Sequence, residues 1–538
     1  MSFYFPLPTV AVKGKSTEYG CAKCKLKEGK INSPEIDVYV GSNYDGLVIL
    51  GQKPSKLDDE KNSPFIDKRS KTLRSTAIKQ GVNLAKQSAM LTAIACYNPS
   101  KKKTTETHFK CCQSILDARL KELKPKMIIC CGELAFKTIF KLKNKHAISK
   151  LRNRLIPNYE YNCLVFPVYD PYDFKMYSNK GDEDEMNYYY QHTYKWDLER
   201  AFDLWRRKYN KRTEVKKLLQ ERKILENITI TEVTDLKQAQ QLFDMWNQCK
   251  EIALDYETTS LFTYDKYFEI VYVAFGNKTN AWVFHEDFWN TPIKKVWFKK
   301  QMIRILNNKK VCKVIQNSKF EDLASRYVYG VKGITNAFCT MLATHTIDER
   351  EGCTSLDFQN LVRFGIPPYN EAIKKYLETS KKSIDKDDDE NNDENDSEAE
   401  YTFVKANRIR EASKSDMIQY NGLDVITDFN QYLLFKNELL DSYPKAKENY
   451  KFLYEGHCLF ADMSQRGINI GEKELNQFES FIDGEIENIQ EQLENIPEVI
   501  AYNKHLESKI GKGKKKRNEK DLEDLCFNKP KRISLRSK

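Results

Sequence analysis

The sequence predicts an α/β fold, with two sheet-containing domains followed by a helical C-terminal segment. Apolar runs that end at glycine, DGLVILG at 45–51 and MIICCG at 127–132, lie on either side of a helical pattern at 109–123. A later apolar run at 252–254 leads into two acidic residues, Asp255 and Glu257. Strands that alternate with helices are typical of sheets covered by helices.

Length and composition limit the possible functions. The chain has 538 residues, which suits two or three domains, and a net charge of +11 that favours an anionic partner if the basic residues cluster. No apolar run is long enough to span a membrane, and the N-terminus does not have the pattern of a signal peptide. The 14 cysteines are therefore expected to be free thiols or metal ligands.

The first predicted domain, residues 1–175, contains a set of four cysteines. Cys21 and Cys24 are separated by two residues, and Cys96 and Cys112 lie further along the chain. Four thiolates suit either a zinc ion or an iron–sulfur cluster. Cys111, beside Cys112, is interpreted as a small buried residue.

This domain resembles the family 4 uracil-DNA glycosylases. The resemblance is carried by Gly51–Ser55 (GQKPS), Ser63–Phe65 (SPF), Cys96–Pro99 (CYNP) and Tyr169–Tyr172 (YDPY). It implies a [4Fe–4S] cluster on Cys21, Cys24, Cys96 and Cys112, with zinc as the alternative.

Three departures from that family concern its chemistry. Gln52 replaces an acid and cannot act as a general base, Asp170 replaces a histidine, and Thr92 replaces the asparagine that reads uracil. An anion at position 170 would repel a departing uracil anion. The domain is therefore expected to be kept for structure or DNA contact.

Residues 176–226 are predicted to connect the two domains. A charged helix is expected from Trp196 to Ile224, with Phe202, Trp205 and Tyr209 on one stripe. Packing between domains is the preferred interpretation, although its basic residues suit a phosphate backbone.

The second domain, residues 227–440, carries acidic residues in three motifs. Asp255 and Glu257 are two apart on a strand, so their side chains point to one face. Glu321 is expected in the first turn of a helix, and Tyr420 and Asp424 are four apart on another. Four carboxylates on one site indicate two hard divalent cations, Mg²⁺ or Mn²⁺.

These motifs resemble the 3′–5′ exonuclease domain of family A DNA polymerases, in the subclass with a tyrosine before the last aspartate. The resemblance implies a ribonuclease H-like fold. Asp255, Glu257 and Asp424 would hold one metal, Tyr420 would orient water, and Glu321 with Asp255 would hold the second metal. The family generally has aspartate where Glu321 stands, and Asp322 is the weaker alternative, since it points about 100° away on a helix.

The remaining segments are expected to be helical or unstructured. The acidic stretch 381–400 is predicted to be a disordered insert. Residues 441–538 resemble the start of a polymerase thumb, with a basic stretch at 511–517. The residues assigned to nucleic-acid binding are Asn317, Lys319, Lys514, Lys515, Lys516 and Arg517.

The predicted function is metal-dependent 3′–5′ proofreading in the N-terminal part of a family A-like replicative polymerase. The combination resembles proteins of large bacteriophages, which places the chain in the cytoplasm of an infected bacterium. Its expected partners are DNA and a separate polypeptide with the polymerase palm and fingers. Two alternatives stay open: a non-catalytic DNA-binding subunit, and an active uracil-DNA glycosylase.

Overall fold

The structure is a computed structural model of the chain. It describes residues 24, 26, 39–61, 63–98, 106–142, 146–171, 183–265, 267–377, 407–436, 444–468 and 471–501. The predicted acidic insert, Cys21 and the basic stretch at 511–517 lie outside these residues. The described chain divides into two units, 1–461 and 462–538.

The first sheet has six strands in the order β1-β3-β2-β4-β6-β5. Their bounds are β1 Tyr39–Val40, β2 Leu47–Gly51, β3 Ser88–Thr92, β4 Met127–Cys131, β5 Ile156–Asn158 and β6 Cys163–Val168. The four inner strands are parallel and the two edge strands are antiparallel. Strands β2, β4 and β6 are buried along their whole length, as expected for parallel strands covered by helices on both faces.

Eight helices accompany this sheet in the described chain. They are α1 Lys56–Glu60, α2 Lys71–Lys79, α3 Leu84–Gln87, α4 Glu106–Leu123, α5 Glu133–Ile139, α6 Ile148–Leu151, α7 Glu183–Leu204 and α8 Arg212–Arg222. The predicted helix at 109–123 is confirmed, with three more residues at its start.

The predicted connector helix is interrupted. A π-helical turn, Trp205–Tyr209, follows α7, and the chain leaves the helix before α8 begins. Phe202, Trp205 and Tyr209 lie on the predicted apolar stripe, and all three are buried in the core of the first sheet. This stretch therefore packs into the first domain.

The second sheet also has six strands, in the order β12-β11-β8-β9-β10-β7. Their bounds are β7 Thr229–Glu232, β8 Glu251–Thr258, β9 Ile270–Gly276, β10 Asn280–His285, β11 Cys312–Ile315 and β12 Ala337–Cys339. The strands β8, β9 and β10 form an antiparallel meander, and β11 and β12 extend it in parallel with β8.

Helices cover both faces of this sheet. They are α9 Leu236–Trp246, α10 Pro292–Leu306, α11 Ser318–Tyr329, α12 Thr340–Ile347, α13 Leu356–Phe364, α14 Lys374–Leu377 and α15 Lys414–Leu434. One core contains the aromatic residues of α9, β9 and α10. The other contains the buried face of α15 against β7, β9 and β10.

Helix α13 joins the two domains. Phe358, Leu361 and Val362 lie in the core of the first sheet, beside β5. On the same helix, the Asn360 side-chain amide donates to Thr427 Oγ1 at 3.2 Å and accepts from Gln431 Nε2 at 2.9 Å, both on α15. The Arg350 guanidinium adds hydrogen bonds to the carbonyls of Ser149 and Arg152. The two sheets thus share one helix inside a single unit.

The C-terminal described segment is helical, as expected. Helix α16, Pro444–Arg466, begins in the first unit, where Tyr450 stacks on Phe338 at 4.9 Å and accepts a hydrogen bond from the Cys339 amide. The second unit contains α17, Glu472–Glu494, which is exposed along its length. Within the described part of the chain, no helix has the length and hydropathy needed to cross a bilayer.

Candidate active site

Strand β8 presents two carboxylates on one face. Asp255 and Glu257 are half-buried and alternate with the buried side chains of Leu254, Tyr256 and Thr258. The register with β9 shifts between Glu257 and Thr258, so the regular pairing ends where the acidic residues stand. The predicted orientation of this pair is confirmed.

Asp424 reaches the same point from α15, which crosses β8, β9 and β10. The helix lies close to the sheet because a glycine stands on each side of the contact, Gly276 on β9 and Gly422 on α15. A Cβ atom at Gly276 would stand 2.6 Å from Val425 Cγ2, and one at Gly422 would stand 2.5 Å from Ile230 Cγ2. In consequence, carboxylate oxygens of Asp255, Glu257 and Asp424 all lie within 4.8 Å of one another.

Glu321 is the buried acid of the second motif. It stands in the first turn of α11, which begins after Asn317 in a left-handed conformation with φ of 58°. Its side chain is 3 % exposed, and Oε2 has no hydrogen-bond partner. Burial, and then the charge of Asp255, raises its pKa, and the charge of Glu321 in turn raises that of Glu257, so the second-motif acid interacts electrostatically with the β8 carboxylates.

Asp322 is directed elsewhere. Its carboxylate pairs with Arg326 at 2.8 Å and accepts a hydrogen bond from the Ile334 amide at 2.6 Å. It therefore holds the loop after α11 against that helix. Of the two acids considered in the sequence, Glu321 is the one that faces the carboxylate cluster.

Two tyrosines lie beside Asp424. Tyr420 stands one helical turn earlier, as the spacing predicts, and burial and then the charge of Asp424 raise its pKa well above the usual value. Tyr369, in the segment between α13 and α14, donates to Asp424 Oδ1 at 2.5 Å, and its ring centroid is 5.9 Å from that of Tyr420. No residue pattern indicates Tyr369, because only the tertiary fold brings that segment to α15.

Asn421 is a further contact that the motifs did not identify. Its Nδ2 donates to Asp255 Oδ2 at 2.6 Å, which fixes the carboxylate on β8 to the helix that carries Asp424. Its position beside Tyr420 on α15 is a signal that could have found it.

The electrostatics of the site favour a cation. Burial raises the pKa of Asp255 to about 7, against the lowering effect of the Asn421 hydrogen bond. Burial also raises the pKa of Glu257 and Asp424 well above the ordinary value, and the charge of Asp255 adds to both shifts. The carboxylates of Asp255, Glu257 and Asp424, with the unpaired oxygen of the buried Glu321 nearby, fit hard divalent ions such as Mg²⁺ or Mn²⁺.

Two of the residues assigned to nucleic-acid binding lie in the described part of the chain. Asn317 is exposed at the start of α11, and Lys319 is half-buried in its first turn. Both stand close to Glu321 along the chain. Lys514, Lys515, Lys516 and Arg517 lie outside the described residues.

The first domain has a second group of polar residues, at the positions where its sequence departs from the uracil-DNA glycosylase family. Gln52 Nε2 donates to Asp170 Oδ2 at 2.7 Å, and Gln52 Oε1 accepts from the Leu134 amide at 3.2 Å. The Thr92 hydroxyl is buried and donates to the Ile94 carbonyl. The residues that depart from the family are thus hydrogen-bonded inside the protein.

Three thiols meet near the start of the described chain. Cys24 hydrogen-bonds to Cys111 and lies close enough to Cys96 for their charges to interact. The sequence predicted Cys112 as the ligand beside Cys96, and both of these cysteines are buried in the core of the first sheet. Cys111, interpreted from the sequence as merely small and buried, is the thiol that contacts Cys24.

Comparison with protein families gives two matches along the chain. Residues 40–193 match the uracil DNA glycosylase superfamily, and residues 230–439 match a 3′–5′ exonuclease family. These matches follow the predicted order of the two domains.

Curated relatives match the first domain. The type-4 uracil-DNA glycosylase of Sulfurisphaera tokodaii is 27 % identical over 164 residues, which are 30 % of this chain and 73 % of the relative. That of Archaeoglobus fulgidus is 25 % identical over 156 residues, 28 % of this chain and 76 % of the relative.

Solved structures show weaker likeness. NrnC of Brucella melitensis with bound Mg²⁺ is 14 % identical, with a TM-score of 0.28, over 45 % of this chain and 96 % of that protein. Escherichia coli RNase D, an exoribonuclease, is 13 % identical, with a TM-score of 0.29, over 45 % of this chain and 52 % of that protein.

Proposed function

We propose that this chain, which carries a uracil-DNA glycosylase superfamily domain followed by a 3′–5′ exonuclease domain, is the proofreading exonuclease part of a family A-like DNA polymerase. The observation that carries the proposal is the carboxylate cluster. Asp255, Glu257 and Asp424 present oxygens within 4.8 Å of one another, and the buried Glu321, whose Oε2 has no hydrogen-bond partner, interacts electrostatically with Asp255 and Glu257. Such a cluster is suited to two divalent cations and to phosphodiester hydrolysis.

The proposed roles of the acidic side chains follow from their positions. Asp255, Glu257 and Asp424 would hold one cation, and Glu321 with Asp255 would hold the other. Divalent ions at these places would supply the charge that activates water and stabilises the departing 3′ oxygen. The chain's own hydrogen bonds fix the ligands in advance, through Asn421 to Asp255 and Tyr369 to Asp424. Such pre-organisation lowers the cost of reaching the reactive geometry.

Tyr420 is assigned to the attacking water. It lies near both Asp424 and Glu257, and burial raises its pKa well above the usual value, so that its hydroxyl stays protonated. A protonated phenol can donate or accept a hydrogen bond, which suits it to orienting a water.

The proposed substrate surface lies in the loop that comes directly after β8. The loop after Thr259 exposes Leu261 and Tyr264, which are 70 % and 81 % exposed, and Tyr267 is 54 % exposed. Exposed aromatic rings beside a nuclease site suit the stacking of unpaired bases. Asn317 and Lys319 lie at the second motif and would contact the phosphate backbone.

Nucleotide release from a 3′-labelled strand tests the function. The purified chain is incubated with single-stranded DNA, mismatched primer–template and single-stranded RNA, each with Mg²⁺, with Mn²⁺ or with a chelator. We expect mononucleotides from the DNA strands with metal and none with chelator. Degradation of RNA alone would overturn the assignment to DNA, and absence of release in every condition would favour the DNA-binding alternative.

The first domain is proposed to hold an iron–sulfur cluster. Cys24, Cys96 and Cys111 come together in the structure, which fits a thiolate-bound metal, and Cys21 and Cys112 are the other candidates. A cluster here would bind parts of the domain that are distant in sequence. Anaerobic protein should be brown, and comparing Cys111→Ser with Cys112→Ser identifies the ligand by loss of colour. A colourless protein with one bound zinc would replace the cluster by zinc.

The proposed partner of this chain is a separate polypeptide that carries a polymerase palm and fingers. The support is the resemblance of residues 450–470 to the opening of the polymerase domain. Capture of a primer-extending polypeptide by the tagged chain would support this partner.

A further inference from the structure

We infer that Asp428 is a neutral carboxylic acid that positions the second motif, and that it is not a fifth metal ligand. It stands one helical turn after Asp424 on α15, and its side chain is 3 % exposed. The sequence motifs did not include it. The inference rests on the proposed function for its activity readout only.

Hydrogen-bond geometry assigns the proton. Thr340 Oγ1 lies within hydrogen-bonding distance of Asp428 Oδ1, of Gln316 Oε1 at 2.7 Å and of the Ile315 carbonyl at 3.5 Å. A hydroxyl carries one hydrogen, so Thr340 can donate to only one of these oxygens at a time.

The orientation of the Gln316 side chain decides which oxygen accepts the hydrogen of the Thr340 hydroxyl. Gln316 Nε2 donates to the Thr354 carbonyl at 2.9 Å, so Oε1 is the atom that faces Thr340. Thr340 then donates to Gln316, so its contact with Asp428 Oδ1 is a hydrogen bond only if the carboxyl group carries the hydrogen. The result is a directional chain, from Asp428 to Thr340, to Gln316, to the Thr354 carbonyl.

The surrounding charges agree with a neutral group. Asp255 on β8 and Glu321 on α11 both interact electrostatically with Asp428, as does the Cys339 thiol before α12. Burial raises the pKa of Asp428 to about 7 against the lowering effect of the Thr340 hydrogen bond, and the charge of Asp255 adds to the rise. The ligands Asp255, Glu257, Glu321 and Asp424 already supply the four charges that two divalent cations balance, so a fifth buried charge would have no counter-ion.

The chain of hydrogen bonds links α15 to the second motif. Gln316 directly precedes Asn317, whose left-handed conformation starts α11 and places Glu321 in the first turn. Asp428 therefore fixes the turn that presents Glu321, from the same helix that carries Asp424. It acts through Thr340 and Gln316 and is a positioning residue.

A matched pair of substitutions on one helix tests this role. Asp428→Asn keeps a donor to Thr340 without a charge, and nucleotide release and the Mg²⁺ concentration for half-maximal rate should stay within about threefold of wild type. Asp424→Asn, the control, should lose activity at the ligand one turn away. Asp428→Ala should lower the rate about tenfold or more, with recovery in Asp428→Asn.

The variants of Thr340 keep the test decisive if Asp428→Ala does not fold. Thr340→Val should give a similar loss and Thr340→Ser should recover it, because serine keeps the hydroxyl. A hundredfold loss and a higher Mg²⁺ requirement in Asp428→Asn would make Asp428 a charged ligand. Full activity in both Asp428→Ala and Thr340→Val would remove the positioning role.

Infrared spectroscopy tests the proton without any assay of activity. In saturating Mg²⁺ the ligands are ionised, and the wild-type spectrum minus that of Asp428→Asn should show the carbonyl stretch of a carboxylic acid. A carboxylate band instead would overturn the inference. Calorimetric titration with Mg²⁺ alone shows separately whether the metal site exists, so a failure of the proposed function is recognised as such.

Discussion

The carboxylate cluster of the second domain and the Gln52–Asp170 pair of the first domain both place polar side chains at buried strands, and they differ in how those side chains are satisfied. In the first domain, Gln52 and Asp170 bond to each other, and Gln52 also accepts from the Leu134 amide. In the second domain, Asp255, Glu257 and Asp424 present oxygens within 4.8 Å of one another, and the nearby Glu321 has a buried oxygen without a hydrogen-bond partner. A polar group with internal partners has little left for a substrate, whereas clustered acids are ionised together at low cost only when a cation balances their charge.

Neutralising a proposed metal ligand should have the largest effect on nucleotide release, and it tests this contrast most directly. Asp255→Asn and Asp424→Asn should each lower nucleotide release by about 10²–10³-fold, because each removes charge that no neighbour replaces. In chelator at alkaline pH the same variants should melt at a higher temperature than wild type, since one buried anion is gone. Wild-type rates in either variant would remove this cluster from the proposed function.

The second motif provides a test between neighbouring acids. Glu321→Ala should lower nucleotide release by about 10²-fold, and Glu321→Asp should retain most of it. Asp322→Ala should keep the rate within a few-fold but lower the free energy of unfolding by about 1–3 kcal/mol, because the Ile334 amide and Arg326 lose their acceptor. Rates and thermal melts of the three variants separate these effects. The reverse result would make Asp322 the ligand.

The pH dependence of stability sharpens the comparison further. Asp255 has a pKa of about 7 in the folded protein against 3.8 ordinarily, so the stability due to its neutral form is present below 3.8 and is lost as pH rises through about 7. Metal-free protein should therefore melt at lower temperature as pH rises over that window. Mg²⁺ should reverse the loss, by about 2.7 kcal/mol at a hundredfold excess over its Kd.

Calorimetric or fluorescence melts with Mg²⁺ and with chelator check this effect. Asp255→Asn is the matched control, and its pH slope should be smaller. Equal slopes with and without Mg²⁺ in the wild type would contradict a metal site at these carboxylates.

The smallest effect on activity is expected from a substitution in the Gln52–Asp170 pair of the first domain. Gln52→Ala should lower the free energy of unfolding by about 1–3 kcal/mol, because Asp170 loses a buried donor. Nucleotide release per folded molecule should not change, and neither wild type nor variant should release uracil from DNA. Free uracil from the wild type would show that the paired residues separate during catalysis.

Local geometry accounts for what the sequence could predict of the site. Alternation on a strand fixes the shared face of Asp255 and Glu257, and one helical turn relates Tyr420 to Asp424. The same geometry separates Glu321 from Asp322. These relations hold wherever the elements lie in the fold, so residue spacing was enough.

Contacts between distant segments were not predictable in this way. Tyr369 meets Asp424 across 55 residues, and Thr340 meets Asp428 across 88. Neither pair has a periodic pattern, because only the packing of α12, α13 and α15 brings them together. The proximity of Cys111 to Cys24 has the same origin, since adjacent helical residues face different surroundings.

Helix α13 makes each domain a condition for folding the other. Removing the glycosylase-like domain would expose Phe358, Leu361 and Val362, which are now at most 3 % exposed, on the helix whose Asn360 supports Thr427 beside Asp424. A first domain that had lost base chemistry would then still be under selection, as the hydrophobic partner of α13. Mutations that abolish base chemistry could accumulate there freely, while deletions of the domain could not.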